Sequence, residues 1–123
     1  APGDIQLVSS TFKSDGNSDV TLNFKNNGDE TNEISSGRIN FYFEGPGNNK
    51  IERVTSIKND GADYINQEWE IGGDFEDLDG IITLEPGEET SVKLTFNKNV
   101  NRNKHFFIIT IEFKNGQFGT YFV

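Results

Sequence analysis

Apolar residues return at every second position in run after run of this chain, and a backbone patterned that way can bury them on one side only by running extended. Val20, Leu22 and Phe24 alternate with Thr21, Asn23 and Lys25; Ile39, Phe41 and Phe43 with Arg38, Asn40, Tyr42 and Glu44; Val92, Leu94 and Phe96 with Ser91, Lys93 and Thr95. Successive side chains of a strand point to opposite faces, so each run reads as a strand with one buried and one wet face. The 3.6-residue period of an amphipathic helix is sustained nowhere for as long as about ten residues.

Turn signals separate the runs: Ser14-Asp15-Gly16-Asn17, Asn26-Asn27-Gly28-Asp29, Gly45-Pro46-Gly47-Asn48-Asn49, Asn59-Asp60-Gly61 and Glu85-Pro86-Gly87-Glu88-Glu89. Ile5 to Lys13 reads as a first strand with an irregularity at Ser9-Ser10, where the apolar phase shifts from Ile5 and Leu7 to Phe12. A polar connection follows the turn Asn26-Asn27-Gly28-Asp29 and precedes Arg38. Lys50 to Ile57 is expected as the return strand of Arg38 to Glu44, and Tyr64 to Ile71 as a strand with Ile65, Gln67, Trp69 and Ile71 on one face. Gly72 to Gly80 reads as an acidic loop, Ile81 to Leu84 as a short strand, and Asn97 to Lys104 as a polar connection. About 7 to 9 strands, with turns about every 8 to 15 residues, describe an all-β fold: an immunoglobulin-like antiparallel β-sandwich rather than a closed barrel.

The chain closes on the clearest hairpin signal, Asn115-Gly116 between Phe106 to Lys114 and Gln117 to Val123. A two-residue type I′ loop sets Phe113 against Phe118, Ile111 against Thr120 and Ile109 against Phe122. That register places Phe107, Ile109, Ile111, Phe113, Phe118 and Phe122 on the core side. Ile108, Tyr121 and Val123 then share the other side with Thr110 and Glu112, more apolar surface than a purely solvated face needs.

The 123 residues are enough for a single domain, 1–123, with a core that needs no staple. There are no cysteines, which excludes disulfide frameworks, thiolate catalysis and cysteine-ligated metals. The only histidine, His105, cannot form a histidine cluster, and no cofactor is expected. No stretch approaches the roughly 18 to 20 apolar residues of a membrane-spanning helix. The charge of −9 is uneven, for residues 59–92 hold eleven acids and no base. Such a balance disfavours nucleic acid and leaves a basic protein or a cation as possible partners.

Four carboxylates, Asp74, Glu76, Asp77 and Asp79, fall within six residues, the composition of a calcium loop. The helix-loop-helix pattern fails, because setting Gly80 at its sixth position puts Phe75 at the first and Pro86 at the twelfth, where ligands are required. A solvated acidic loop is the simpler reading, with a weak calcium site helped by Asp60 or Asp63 as the alternative. The paired acids of a glycosidase require a cleft, and here they lie in loops. A serine triad finds no Gly-x-Ser-x-Gly elbow, and His105 reads as an exposed residue ahead of a strand. Gly45-Pro46-Gly47 and Gly72-Gly73 open no helix and so form no phosphate cradle. Trp69 with Tyr42, Tyr64 and Tyr121 could line a sugar platform, although a lone tryptophan alternating with Ile65 and Ile71 reads as core.

Val20-Thr21-Leu22-Asn23-Phe24-Lys25-Asn26-Asn27-Gly28 and Leu84-Glu85-Pro86-Gly87-Glu88-Glu89-Thr90-Ser91-Val92-Lys93-Leu94-Thr95-Phe96 resemble segments of prokaryotic cell-surface immunoglobulin-like domains, a strand leaving through K-N-x-G and an L-x-P-G-E turn feeding a core strand. With the acidic balance and the abundance of Asn, Lys and Ile, the chain resembles most the archaeal flagella-related proteins G and F. That resemblance implies a β-sandwich outside the cytoplasmic membrane, the soluble part of a longer membrane-anchored or secreted chain, serving as an accessory, stator-like part of the archaellum motor. It implies contacts with other protein subunits, as homo- or hetero-oligomers.

The expectation is therefore a non-enzymatic, extracytoplasmic protein–protein interaction domain at the cell surface. Its contact falls on the last hairpin, with 117–123 as an edge strand and Ile108, Phe118, Tyr121 and Val123 as partner-binding residues. A carbohydrate-binding module and a calcium-dependent adhesin domain are the alternatives.

Overall fold

The computed structural model describes residues 4–12, 18–44, 51–65, 69–100 and 105–123. Ten strands follow in order: β1 (Ile5–Phe12), β2 (Asp19–Asn26), β3 (Asn32–Glu44), β4 (Arg53–Asn59), β5 (Ala62–Asp63), β6 (Trp69–Glu70), β7 (Glu76–Leu84), β8 (Glu89–Phe96), β9 (His105–Phe113) and β10 (Phe118–Phe122). They form two antiparallel sheets. The first runs β1-β2-β8-β4-β5, with β6 also on β4, and the second runs β10-β9-β3-β7. The series β1-β2-β8-β4 and β10-β9-β3 match the A-B-E-D and G-F-C orders of the immunoglobulin sandwich.

The alternating runs fill the space between the sheets as their pattern requires. Val20, Leu22 and Phe24 of β2, Val92, Leu94 and Phe96 of β8, and Phe107, Ile109, Ile111 and Phe113 of β9 are all buried. Phe96 and Phe107 stack from opposite sheets, ring centres 4.9 Å apart and 14° from parallel. Trp69 is buried, its ring against Gly37 of β3. The irregularity in β1 sits at Val8, between Leu7 and Ser9, one residue from its expected place.

Four segments depart from the sequence reading. Of the strand expected from Tyr64 to Ile71 only Trp69–Glu70 is strand, while Tyr64 and Ile65 lie outside any strand and Ile71 begins a turn. The polar connection before Arg38 is strand from Asn32, because Ser36 and Asn32 are buried with their polar atoms bonded: Ser36 Oγ to Glu112 Oε1 at 2.8 Å, Asn32 Nδ2 to the Glu30 carbonyl at 3.2 Å. Small polar residues give no strand signal of their own; the neighbouring β9 supplies the pairing. The segment after Gly45 to Asn49 does not return beside β3, since β4 crosses to the other sheet and pairs with β8. Residues 76–80 belong to β7 and not to a loop. The turns at 14–17 and 45–49 lie outside the described residues, wholly or in part, as does Gln67.

The two turn motifs are one piece of structure. Asn26, at the end of β2, is fully buried. Its side-chain amide donates to the Glu30 carbonyl at 2.7 Å and, across the sandwich, to the Leu84 carbonyl at 3.0 Å, while its Oδ1 accepts from Gly28 N at 2.9 Å. Its backbone N–H donates to Glu88 O and its C=O accepts from Gly87 N. Every polar atom of this asparagine is thus spent in joining the K-N-N-G exit to the L-E-P-G-E turn and one sheet to the other. Asn26→Ala leaves buried carbonyls unpaired and is expected to destabilise the domain by about 2–3 kcal/mol, read as a lowered urea midpoint at unchanged m-value.

Candidate partner-binding face

The closing hairpin forms, but with one more loop residue than a type I′ turn. Gly116 N donates to Phe113 O, Phe113 N to Gln117 O, and Gln117 N to Asn115 Oδ1. Of the loop residues only Gly116 has positive φ, at 87°. This is the three-residue loop with a glycine bulge, in which Asn115 keeps an ordinary right-handed backbone and the single left-handed position falls to glycine. Asn-Gly signals both loops, and only the flanking strands choose between them.

One residue of slip exchanges the faces of β10. Phe118 pairs with Glu112, Thr120 with Thr110 and Phe122 with Ile108, so the expected core residues Phe118 and Phe122 stand outside, 54% and 64% exposed. Gly119, Tyr121 and Val123 turn inward instead, which removes Tyr121 and Val123 from the outer face on which the sequence reading set them. Tyr121 meets the ring of buried Phe24 edge-on at 5.2 Å, and its hydroxyl donates to the Ile5 carbonyl of β1 at 2.8 Å. The bond ties an edge of one sheet to an edge of the other. Gly119 makes room for it, since a Cβ there would stand 2.8 Å from the Tyr121 hydroxyl. The register also lets Val123 exchange two backbone bonds with Phe107.

The outer face of the β10-β9-β3-β7 sheet is therefore aromatic at both ends. Phe118 lies 5.3 Å from Phe75, which in turn carries the Arg38 guanidinium 5.7 Å from its ring centre. Phe122 lies 6.2 Å from Phe106 beside half-buried Ile108. The outer face of the other sheet is different in kind: Asn23 donates to Ser9 and accepts from Ser91, and Thr95 bonds Asp19. One face carries a hydrogen-bonded polar lattice, with Val8 exposed at the β1 bulge, and the other offers exposed rings. Periodicity missed Phe75, Phe106 and Phe122; the signal that could have found the last was the second loop length open to Asn-Gly.

The acidic candidates do not converge. Asp74 precedes β7, while Glu76, Asp77 and Asp79 lie along its extended backbone, where Glu76 faces opposite to Asp77 and Asp79. Among the described residues no three metal-ligating side chains gather to hold an ion. His105 opens β9 rather than preceding it. Trp69 is buried, which takes away the centre of a sugar platform, and the exposure of Tyr42 lies outside the described residues. The void between the sheets, about 40 Å3, is lined almost wholly by apolar side chains such as Leu22, Phe24, Ile39, Trp69 and Ile111.

No protein-family model matches the sequence, and no curated protein matches it. Among solved structures the chain is similar to the archaellum periplasmic stator protein FlaG from Sulfolobus acidocaldarius, at 17% identity and a TM-score of 0.48 over 97% of each chain. It is also similar to the archaellum periplasmic stator protein complex of FlaF and FlaG from that organism, at 16% identity and a TM-score of 0.48, over 98% of this chain and 88% of that chain. Values this low transfer no residue's role.

Burial pushes the Tyr121 phenol up from 10.0 to about 12. The folded state holds this proton more tightly than the unfolded chain, so the stabilisation is complete below pH 10 and is lost as pH rises from there through about 12. Tyr121→Phe is expected to lower stability at neutral pH, by loss of the bond to Ile5, and to flatten the alkaline decline. Denaturant midpoints of both proteins at pH values between about 8 and about 11 check this.

Proposed function

We propose that this chain is a non-enzymatic interaction domain displayed outside the cytoplasmic membrane, an accessory part of an archaellum-type surface assembly. The observation that carries the contact reading is the outer face of the β10-β9-β3-β7 sheet, where Phe118 and Phe122 are more than half exposed while the opposite sheet presents a polar lattice. A surface that pays for water contact with large rings is one that a partner covers. The partner-binding set becomes Phe118, Phe122, Phe75, Phe106 and Ile108, with Tyr121 and Val123 acting from beneath by fixing the register. Placement in the archaellum follows the resemblance to the archaeal flagella-related proteins G and F, which rests on size, acidic balance, lack of cysteine and the abundance of Asn, Lys and Ile.

Because Phe118 and Phe122 are exposed, charging them leaves the core intact. A Phe118→Lys/Phe122→Lys variant, carried in the native cells, is expected to accumulate normally, melt within about 2 °C of the parent and abolish swimming. Unchanged swimming at normal protein level overturns the proposal. Titration calorimetry with polysaccharides is expected to give no binding heat, as a buried Trp69 implies, and the melting temperature is expected to be the same in calcium and in chelator.

A further inference from the structure

Sheet edges are where strands of other molecules add, and natural edges carry devices against it. Among the described residues three of the four edges do. β1 is bulged at Val8, β5 and β6 are two residues long, and β7 carries Glu76, Asp77 and Asp79. β10, Phe118-Gly119-Thr120-Tyr121-Phe122, has no charge, no proline and no bulge, and β9 is the sole described strand with which it pairs.

The register says which of its backbone groups are unused. Val123 and Phe107 exchange both N–H···O bonds, and Phe113 N bonds Gln117 O. In an antiparallel ladder such pairs alternate with pairs whose N–H and C=O point away. Residues 117, 119, 121 and 123 therefore face β9, while Phe118, Thr120 and Phe122 aim three donors and three acceptors outward.

We propose that the strand received by this edge is β10 of a second copy of this chain, antiparallel about a two-fold axis at Thr120; the proposal rests on the reading of this face as a contact surface. The strand is nearly palindromic. Centring the axis on Thr120 sets Phe118 opposite Phe122 of the copy at both ends and Thr120 opposite itself, and all three are outward-bonding positions. All six donors and acceptors on each edge find partners, and the outer face gains two phenylalanine pairs. A shift of two residues either way loses bonds and both ring pairs.

Charge favours the same contact. A chain of −9 can meet itself only where its acids are not, and eleven of its twenty lie in residues 59–92. β7, which carries three of them, is the opposite edge of the sheet from β10. Joining β10 to β10 makes one eight-stranded sheet with its two acidic edges farthest apart. A five-residue edge is small against the roughly 1,200–2,000 Å2 that stable interfaces bury, so the dimer dissociates between about 10 µM and about 1 mM.

Sedimentation equilibrium of the native chain is expected to show that monomer–dimer equilibrium. Thr120→Pro removes an outward N–H that β9 does not use, a place where an edge strand accepts proline, and is expected to weaken association about tenfold or more with the melt unchanged. A nitroxide on Thr120→Cys, the sole thiol in the chain, is expected to show dipolar broadening at dimer concentrations, and one on Ile81→Cys of β7 none. A native chain that stays monomeric at millimolar concentration overturns the self-pairing, as does a dimer indifferent to Thr120→Pro or broadening only at Ile81→Cys. If the Phe118→Lys/Phe122→Lys variant still abolishes swimming in those cases, the face binds a different chain and the proposed function stands; if swimming also persists, both fall.

Discussion

Side chains of a strand alternate with a period of two, so a single residue of loop length in the closing hairpin decides which side of β10 is core. The structure spends that residue on a three-residue loop. Gly116 takes the one left-handed position, Tyr121 goes in and Phe118 and Phe122 come out. The inward choice brings the Tyr121 hydroxyl to the Ile5 carbonyl and closes the side of the sandwich where β1 and β10 lie. The aromatic skin and the outward-facing backbone row of β10 both follow from the same slip.

A second constraint holds the other end. Two sheets packed through apolar faces could slide, because hydrophobic contact has no direction. Asn26 supplies direction: with all its polar atoms satisfied, it accepts only one placement of the Pro86-Gly87 turn and of the Leu84 carbonyl. Motifs far apart in the chain are therefore mechanically one, which accounts for their presence together without any ligand. The inter-sheet stack of Phe96 on Phe107 then packs within a frame already set.

The molecule divides its surface accordingly. The β1-β2-β8-β4 side is finished with Ser, Asn and Thr bonded to one another, and β7 carries Glu76, Asp77 and Asp79 along its length. What is left unfinished is β10 and the rings around it. The void between the sheets is small and apolar, and Glu76, Asp77 and Asp79 are strung along β7.

From residues alone came the β class, the two-layer arrangement, the buried sets of β2, β8 and β9, the bulge in β1 and the existence of the last hairpin, because alternation and turn chemistry are local and strong in each. Four matters were decided only in three dimensions: the strand character of Asn32 to Gly37, the crossing of β4, the strand at Glu76 to Gly80, and the face of Phe118, Tyr121 and Phe122. In each the local sequence is compatible with two outcomes, polar strand or loop, return or crossover, two-residue or three-residue turn. The choice belongs to partners distant in sequence: Glu112 for Ser36, β8 for β4, Ile5 and Phe24 for Tyr121. Local alternation determines that a segment is extended, whereas register and face are properties of pairs, and the pairs exist only once the sandwich has closed.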